Sequence, residues 1–89
     1  MKGLSAIGPE LADVVSGVLG VPVAAIDDNF SSETCGTWDS LKHLMLVLAI
    51  EERFGITFVE DEIWSMMSFA TLRDGIGREV QSQLQSEHS

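Results

Sequence analysis

The sequence predicts an all-α fold, a bundle of three main helices and one short helix before the last, with a long loop between the first two helices. Three observations point to it. Apolar residues recur at helical spacing in three separate stretches. Cap residues and glycines stand where those stretches begin or end. The chain, at 89 residues, has room for one domain and one modest core.

The first helix is predicted over residues 8–19, with Pro9 in its early turn and Leu11, Val14, Val15, Val18 and Leu19 on helical spacing before Gly20 stops it. Between 21 and 39, Pro22, Asp27, Asp28, Asn29, Ser31, Ser32, Gly36 and Thr37 interrupt any period. Val21, Val23, Ile26 and Phe30 remain as isolated apolar anchors in a long, pinned loop. Loops of this length usually carry or frame a function, and this one runs directly into Trp38-Asp39-Ser40-Leu41.

The second helix should start at Asp39 or Ser40, both good cap residues, and run to Arg53 or Phe54 before Gly55. At about 100° per residue, Leu46, Val47, Ile50 and Phe54 share one arc and Leu41, Leu44, Met45 and Leu48 another. Such a helix either lies buried on both sides or buries one face and offers the other to a partner; we expect the second arrangement. Glu60-Asp61-Glu62 opens a short third helix through about Met67, with Ile63, Trp64 and Met67 as its apolar contacts. Thr71 can cap a last helix to about Leu84, in which Leu72, Ile76, Val80 and Leu84 recur every four residues and Gly75 and Gly77 weaken the first turns. The core is expected over residues 9–84, with a polar, frayed tail over 85–89.

Composition excludes several classes. Apolar residues form 45% of the chain, enough for a core without metals or disulfides, and the single cysteine, Cys35, has no partner for a disulfide. Five Lys and Arg against fourteen Asp and Glu leave a net charge of −9, which disfavours nucleic acid and favours partners with basic patches. The longest apolar run, 44–50, is far short of the roughly 20 residues of a membrane span, and Met1 to Ser5 shows no signal-peptide core. A cytoplasmic monomer is expected. Asp27, Asn29 and Ser31 hint at a calcium loop, but Ser32 and Trp38 occupy the positions that require glycine and glutamate. No metal site and no catalytic set of base and nucleophile can be assembled.

Asp39-Ser40-Leu41 at the start of the second helix resembles the modification site of the acyl carrier protein family. The resemblance continues without a gap to Glu51-Glu52-Arg53-Phe54-Gly55-Ile56. Ile26-Asp27-Asp28-Asn29-Phe30 looks like that family's loop anchor, and Phe69-Ala70-Thr71-Leu72 resembles the start of its last helix, so the likeness spans about residues 9–84. It implies a four-helix carrier-protein bundle without catalysis of its own: a free-standing protein whose Ser40 receives 4'-phosphopantetheine from coenzyme A and carries acyl groups as thioesters. The implied partners are a phosphopantetheinyl transferase and the enzymes that load and process the cargo, such as a ligase, an acyltransferase or a ketosynthase.

The resemblance implies partner recognition by Asp39, Leu41, Leu44, Met45, Leu48, Glu51 and Glu52. Lys42 and Met45 stand where that family often has acids, so the docking face is more apolar and points to selective partners in a specialised pathway, fatty acid, polyketide or related. Two rival readings remain: a carrier for aminoacyl or peptidyl groups, which Asp39 before Ser40 argues against, and an unmodified helical adaptor docking through the same apolar face. His43 is expected to be structural, Cys35 an ordinary loop thiol, and Trp38 and Trp64 packing residues at the margins of the bundle.

Overall fold

A computed structural model describes the backbone over residues 7–87 and the side chains over 7–83. Four α-helices follow one another: α1 (Ile7–Leu19), α2 (Ser40–Phe54), α3 (Glu60–Ile63) and α4 (Phe69–Glu87). The long loop joins α1 to α2 and contains one turn of 3₁₀ helix, Val23–Ala25. The described helices bear out the all-α architecture of three long elements and one short one. None of them is long and apolar enough to cross a membrane.

The helical stripes meet in one core. Leu11 and Val15 of α1, Leu46 and Ile50 of α2, and Leu72 and Ile76 of α4 are fully buried, and α1 packs against both α2 and α4. Burying such side chains contributes roughly 1.5–3 kcal/mol each. Gly20 and Gly55 end α1 and α2 in the left-handed region, at φ 71° and 66°, where a side chain would be strained.

The loop holds more of the core than its lack of period suggests. Phe30, Cys35 and Trp38 are buried in it, whereas Val23, expected as an anchor, is exposed. Backbone hydrogen bonds staple the loop to the stretch before α4: Ser32 N–H donates to Met67 C=O at 3.0 Å and Phe69 N–H to Phe30 C=O at 2.8 Å. An Arg73–Asp28 ion pair of 2.8 Å adds a surface tie worth little by itself. Trp38 therefore lies in the core and not at its margin, the first correction to the sequence reading.

Three helix boundaries also differ from expectation. α3 stops at Ile63 instead of Met67, because Ser65 N–H bonds back to Glu62 C=O at 3.0 Å and Met66 N–H to Ile63 C=O at 3.3 Å. This tightened turn drives Met66 into the core and leaves Trp64 exposed. α4 is capped by Ser68, not Thr71: Ser68 Oγ accepts Thr71 N–H and Thr71 Oγ1 accepts Ser68 N–H, both at 3.2 Å. That reciprocal pair is a capping box with threonine in its third position. α4 then continues through Glu87, since Gln, Ser and Glu sustain a helix adequately. The expected tail is helical over 85–87, while residues 88–89 and the Leu84 side chain lie outside the described residues.

Gly75 turns out to permit close packing. A Cβ there would run into the buried Met66 Sδ and lie 3.5 Å from Phe58. Gly75→Ala gains up to about 1 kcal/mol in helix propensity, but overpacking costs about 1–3 kcal/mol. A net loss of about 1 kcal/mol is expected, visible as a melting midpoint about 4–8 °C lower.

Candidate functional site

The start of α2 is built by residues on both sides of it. Asp39 is extended, at φ −104° and ψ −172°, and its Oδ1 accepts Lys42 N–H at 2.9 Å, which makes it the N-cap. The Asp39 carbonyl accepts His43 N–H at 2.8 Å. Ser40 is thus the first helical residue, and it is exposed. Its hydroxyl makes no hydrogen bond to any described residue, since Asp39 has taken the capping role that serine often fills. The helix's positive end and its unpaired first-turn N–H groups lie beside that hydroxyl.

The approach to Ser40 is fixed from below. Thr37 Oγ1 donates to Leu19 C=O at the end of α1, 3.2 Å away, and lies 3.3 Å from Cys35 Sγ. Cys35, expected as an ordinary loop thiol, is buried. Trp38 packs on Phe30 with ring centroids 5.8 Å apart.

His43 joins three chain segments. It has no exposed surface, and its Nδ1 accepts the Trp38 indole N–H at 3.1 Å. Because an indole N–H only donates, the remaining imidazole proton sits on Nε2, which donates to Ile63 C=O at 2.6 Å. The His43 ring also stacks on Trp38 at 6.0 Å and tilts against Trp64 at 5.5 Å. This is the structural histidine the sequence suggested, but more deeply placed, tying the loop and the end of α3 to the first turns of α2.

Along α2 the two arcs separate as the helical period requires. Leu46, Val47 and Ile50 are buried, whereas Leu41 and Leu48 are 66% and 65% exposed and Leu44 and Met45 are also open to solvent. Of the two acids at the far end, Glu52 is exposed. Glu51 is half-buried: its Oε2 accepts Phe58 N–H at 2.8 Å, and its carbonyl accepts Gly55 N–H. Its carboxylate is occupied in fastening the turn after α2.

An open groove of about 330 Å³ runs between α1 and α2 past Val14, Val18, Ala49 and Arg53. It lies at the end of α2 remote from Ser40. Trp64, which the sequence reading placed among packing residues, is 49% exposed beside the start of α2. Among 63–67 four apolar residues crowd together, and no period distinguishes the inward one from the outward one.

What this arrangement can do chemically is present a hydroxyl. Ser40 is exposed, its hydroxyl is bonded to none of the described residues, and it stands next to a positive helix end that favours a phosphate. These features fit a phosphodiester-linked group at that position. A family model described as phosphopantetheine attachment site matches residues 9–76. No curated protein matches the chain.

Proposed function

Because the chain belongs to the phosphopantetheine attachment-site family, a family of carriers that bear covalent 4'-phosphopantetheine and are generally non-catalytic, we propose that Ser40 is its attachment point and acyl groups its cargo. The single observation that supports the assignment is the free, exposed Ser40 hydroxyl at the start of α2, relieved of capping by Asp39. In this reading a phosphopantetheinyl transferase removes the hydroxyl proton. The Ser40 oxygen then bonds to the pantetheine-bearing phosphorus of coenzyme A, and the adenosine bisphosphate portion leaves. When bound, the arm supplies a thiol that holds cargo as a thioester. The protein's own part is to position the hydroxyl, stabilise phosphate charge at the helix end and offer a docking face.

Asp39 immediately before Ser40, in the pattern continued by Glu51 to Ile56, favours acyl over aminoacyl or peptidyl cargo. Lys42 and Met45 favour selective partners in a specialised pathway. The test is intact mass after incubation with coenzyme A and a broad-specificity phosphopantetheinyl transferase. A gain of one phosphopantetheine group is expected, and no gain overturns the carrier reading. Loading the modified chain with acyl and aminoacyl donors in parallel then separates the two cargo classes.

Asp39 has two separable roles in this proposal, cap and charge. Asn caps as well as Asp, so Asp39→Asn is expected to keep stability within about 0.5 kcal/mol while raising the transferase's KM for the protein. Asp39→Ala should lose about 1 kcal/mol in addition. Equal kinetics for native and Asn forms would restrict Asp39 to capping.

A further inference from the structure

We propose that Trp64 is a docking anchor, set in place by His43, and that it fits an apolar socket on the phosphopantetheinyl transferase with basic side chains along the edge facing α3. The inference rests on the Ser40 reading, since it deepens how that site is recognised.

An indole exposed to 49% in a domain with so small a core needs an account. Trp64 is not loosely placed. Its ring lies 5.5 Å from that of His43, and His43 is fixed at both nitrogens, by Trp38 and by the carbonyl of Ile63, the residue before Trp64. A rigid, half-exposed aromatic side chain loses little entropy on binding and offers a large apolar area, which is why tryptophan is enriched among residues that dominate interfaces.

Helical geometry places this ring relative to Ser40. His43 lies one turn beyond Ser40, a rise of about 4.5 Å. Going round α2 from His43, Val47, Ser40 and Leu44 follow in one direction, and Ile50, Leu46 and Lys42 in the other. Leu46, Val47 and Ile50 face the core on either side of His43. The side of Lys42 and Arg53 is occupied by α1, since Arg53 lines the groove between α1 and α2, which leaves the side of Ser40 and Leu44 for the exposed Trp64 ring packed on His43. Trp64 therefore continues the apolar ridge of Leu41, Leu44 and Leu48 across to α3, beside the hydroxyl to be modified.

Charge identifies the partner's chemistry. Glu60 and Asp61 of α3 are exposed, whereas Glu62 is paired with Arg78 at 3.0 Å. Lys42 lies three turns from Arg53 on the same side of α2, the side on which Arg53 lines the groove with α1. The ridge thus has exposed acids, unpaired among the described residues, along its α3 edge and a cation along its α1 edge. A complementary site has an apolar floor and Lys or Arg facing α3.

The transferase's kinetics on Trp64→Ala and Trp64→Phe test the proposal. Trp64→Ala is expected to raise KM for the unmodified protein about tenfold with kcat nearly unchanged, and Trp64→Phe to recover most of the loss. The second readout needs no reaction: the folded Ser40→Ala chain, titrated with transferase, should show the Trp64 indole N–H resonance shifting while that of buried Trp38 stays. Unchanged KM in Trp64→Ala, or an unmoved Trp64 resonance in a complex that forms, overturns the proposal. Failure of the native chain to gain mass instead overturns the Ser40 reading, so the two failures are distinct.

Discussion

Replacing Ser40 with Ala is expected to abolish the gain of a phosphopantetheine group completely while changing stability by less than about 0.5 kcal/mol. The separation is possible because Asp39, not Ser40, caps α2, and because the Ser40 hydroxyl has no partner among the described residues. Alanine is also the best helix former, so the first turn loses nothing. Most serines at helix starts would not permit so clean a substitution, since removing a capping hydroxyl costs about 1 kcal/mol. Intact mass and thermal melting on the same sample check both halves. A Ser40→Ala chain that still gains one group would move attachment to another hydroxyl, with Ser31, Ser32, Ser65 and Ser68, which line one open cleft between the loop and the α3–α4 turn, as the first to examine.

The parts of this site that could be read from sequence are those governed by a helical period or a terminal residue type. A cap at Asp39 or Ser40, a stop at Gly55 and two separate apolar arcs on α2 follow from local rules, and the structure has Asp39 as the cap, Gly55 as the stop and one arc buried with the other exposed. Trp38 could not be placed by the same means, because 21–39 has no period and its burial depends on Phe30 earlier in the loop and on His43 of α2. The end of α3 was hidden for a related reason: a single turn bonded at i→i−3 decides whether Met66 or Trp64 points inward. Gly75 looked like a weakness of α4 and is a contact point, which only the arrival of Met66 and Phe58 reveals. Glu51 carries a contact that its motif does not announce, since its carboxylate accepts Phe58 N–H seven residues later.

These misses share a location. Apart from Gly75 and the far end of α4, they lie in the loop and the α3 region that pack around His43, where long-range contacts override local preference. The same side chain that made those segments hard to read also makes them one unit. The loop enters at Trp38, α3 leaves at Ile63, and both are hydrogen-bonded to a residue one turn from Ser40. The placement of the candidate site is therefore a tertiary property, although its recognition motif is a local one.

Exchanging His43 for Leu should accordingly have the largest effect on stability of the changes considered, a loss of about 2–6 kcal/mol. Leucine fits the apolar surroundings, so the loss comes chiefly from the two abandoned partners. The Trp38 indole N–H loses its acceptor and the Ile63 carbonyl its donor, at about 1–3 kcal/mol each. With total stabilities of 5–15 kcal/mol for ordinary domains, such a loss leaves little margin. Adding Trp38→Phe removes one orphaned group along with its partner, and deleting both members of a buried hydrogen bond can be nearly neutral. The double variant is therefore expected to be less destabilised than the sum of the two single changes by about 1 kcal/mol or more, a coupling that denaturant titration of all four forms would measure. Strict additivity would mean that the His43–Trp38 hydrogen bond contributes no stability, and the coupling of loop to helix would then rest on ring packing alone.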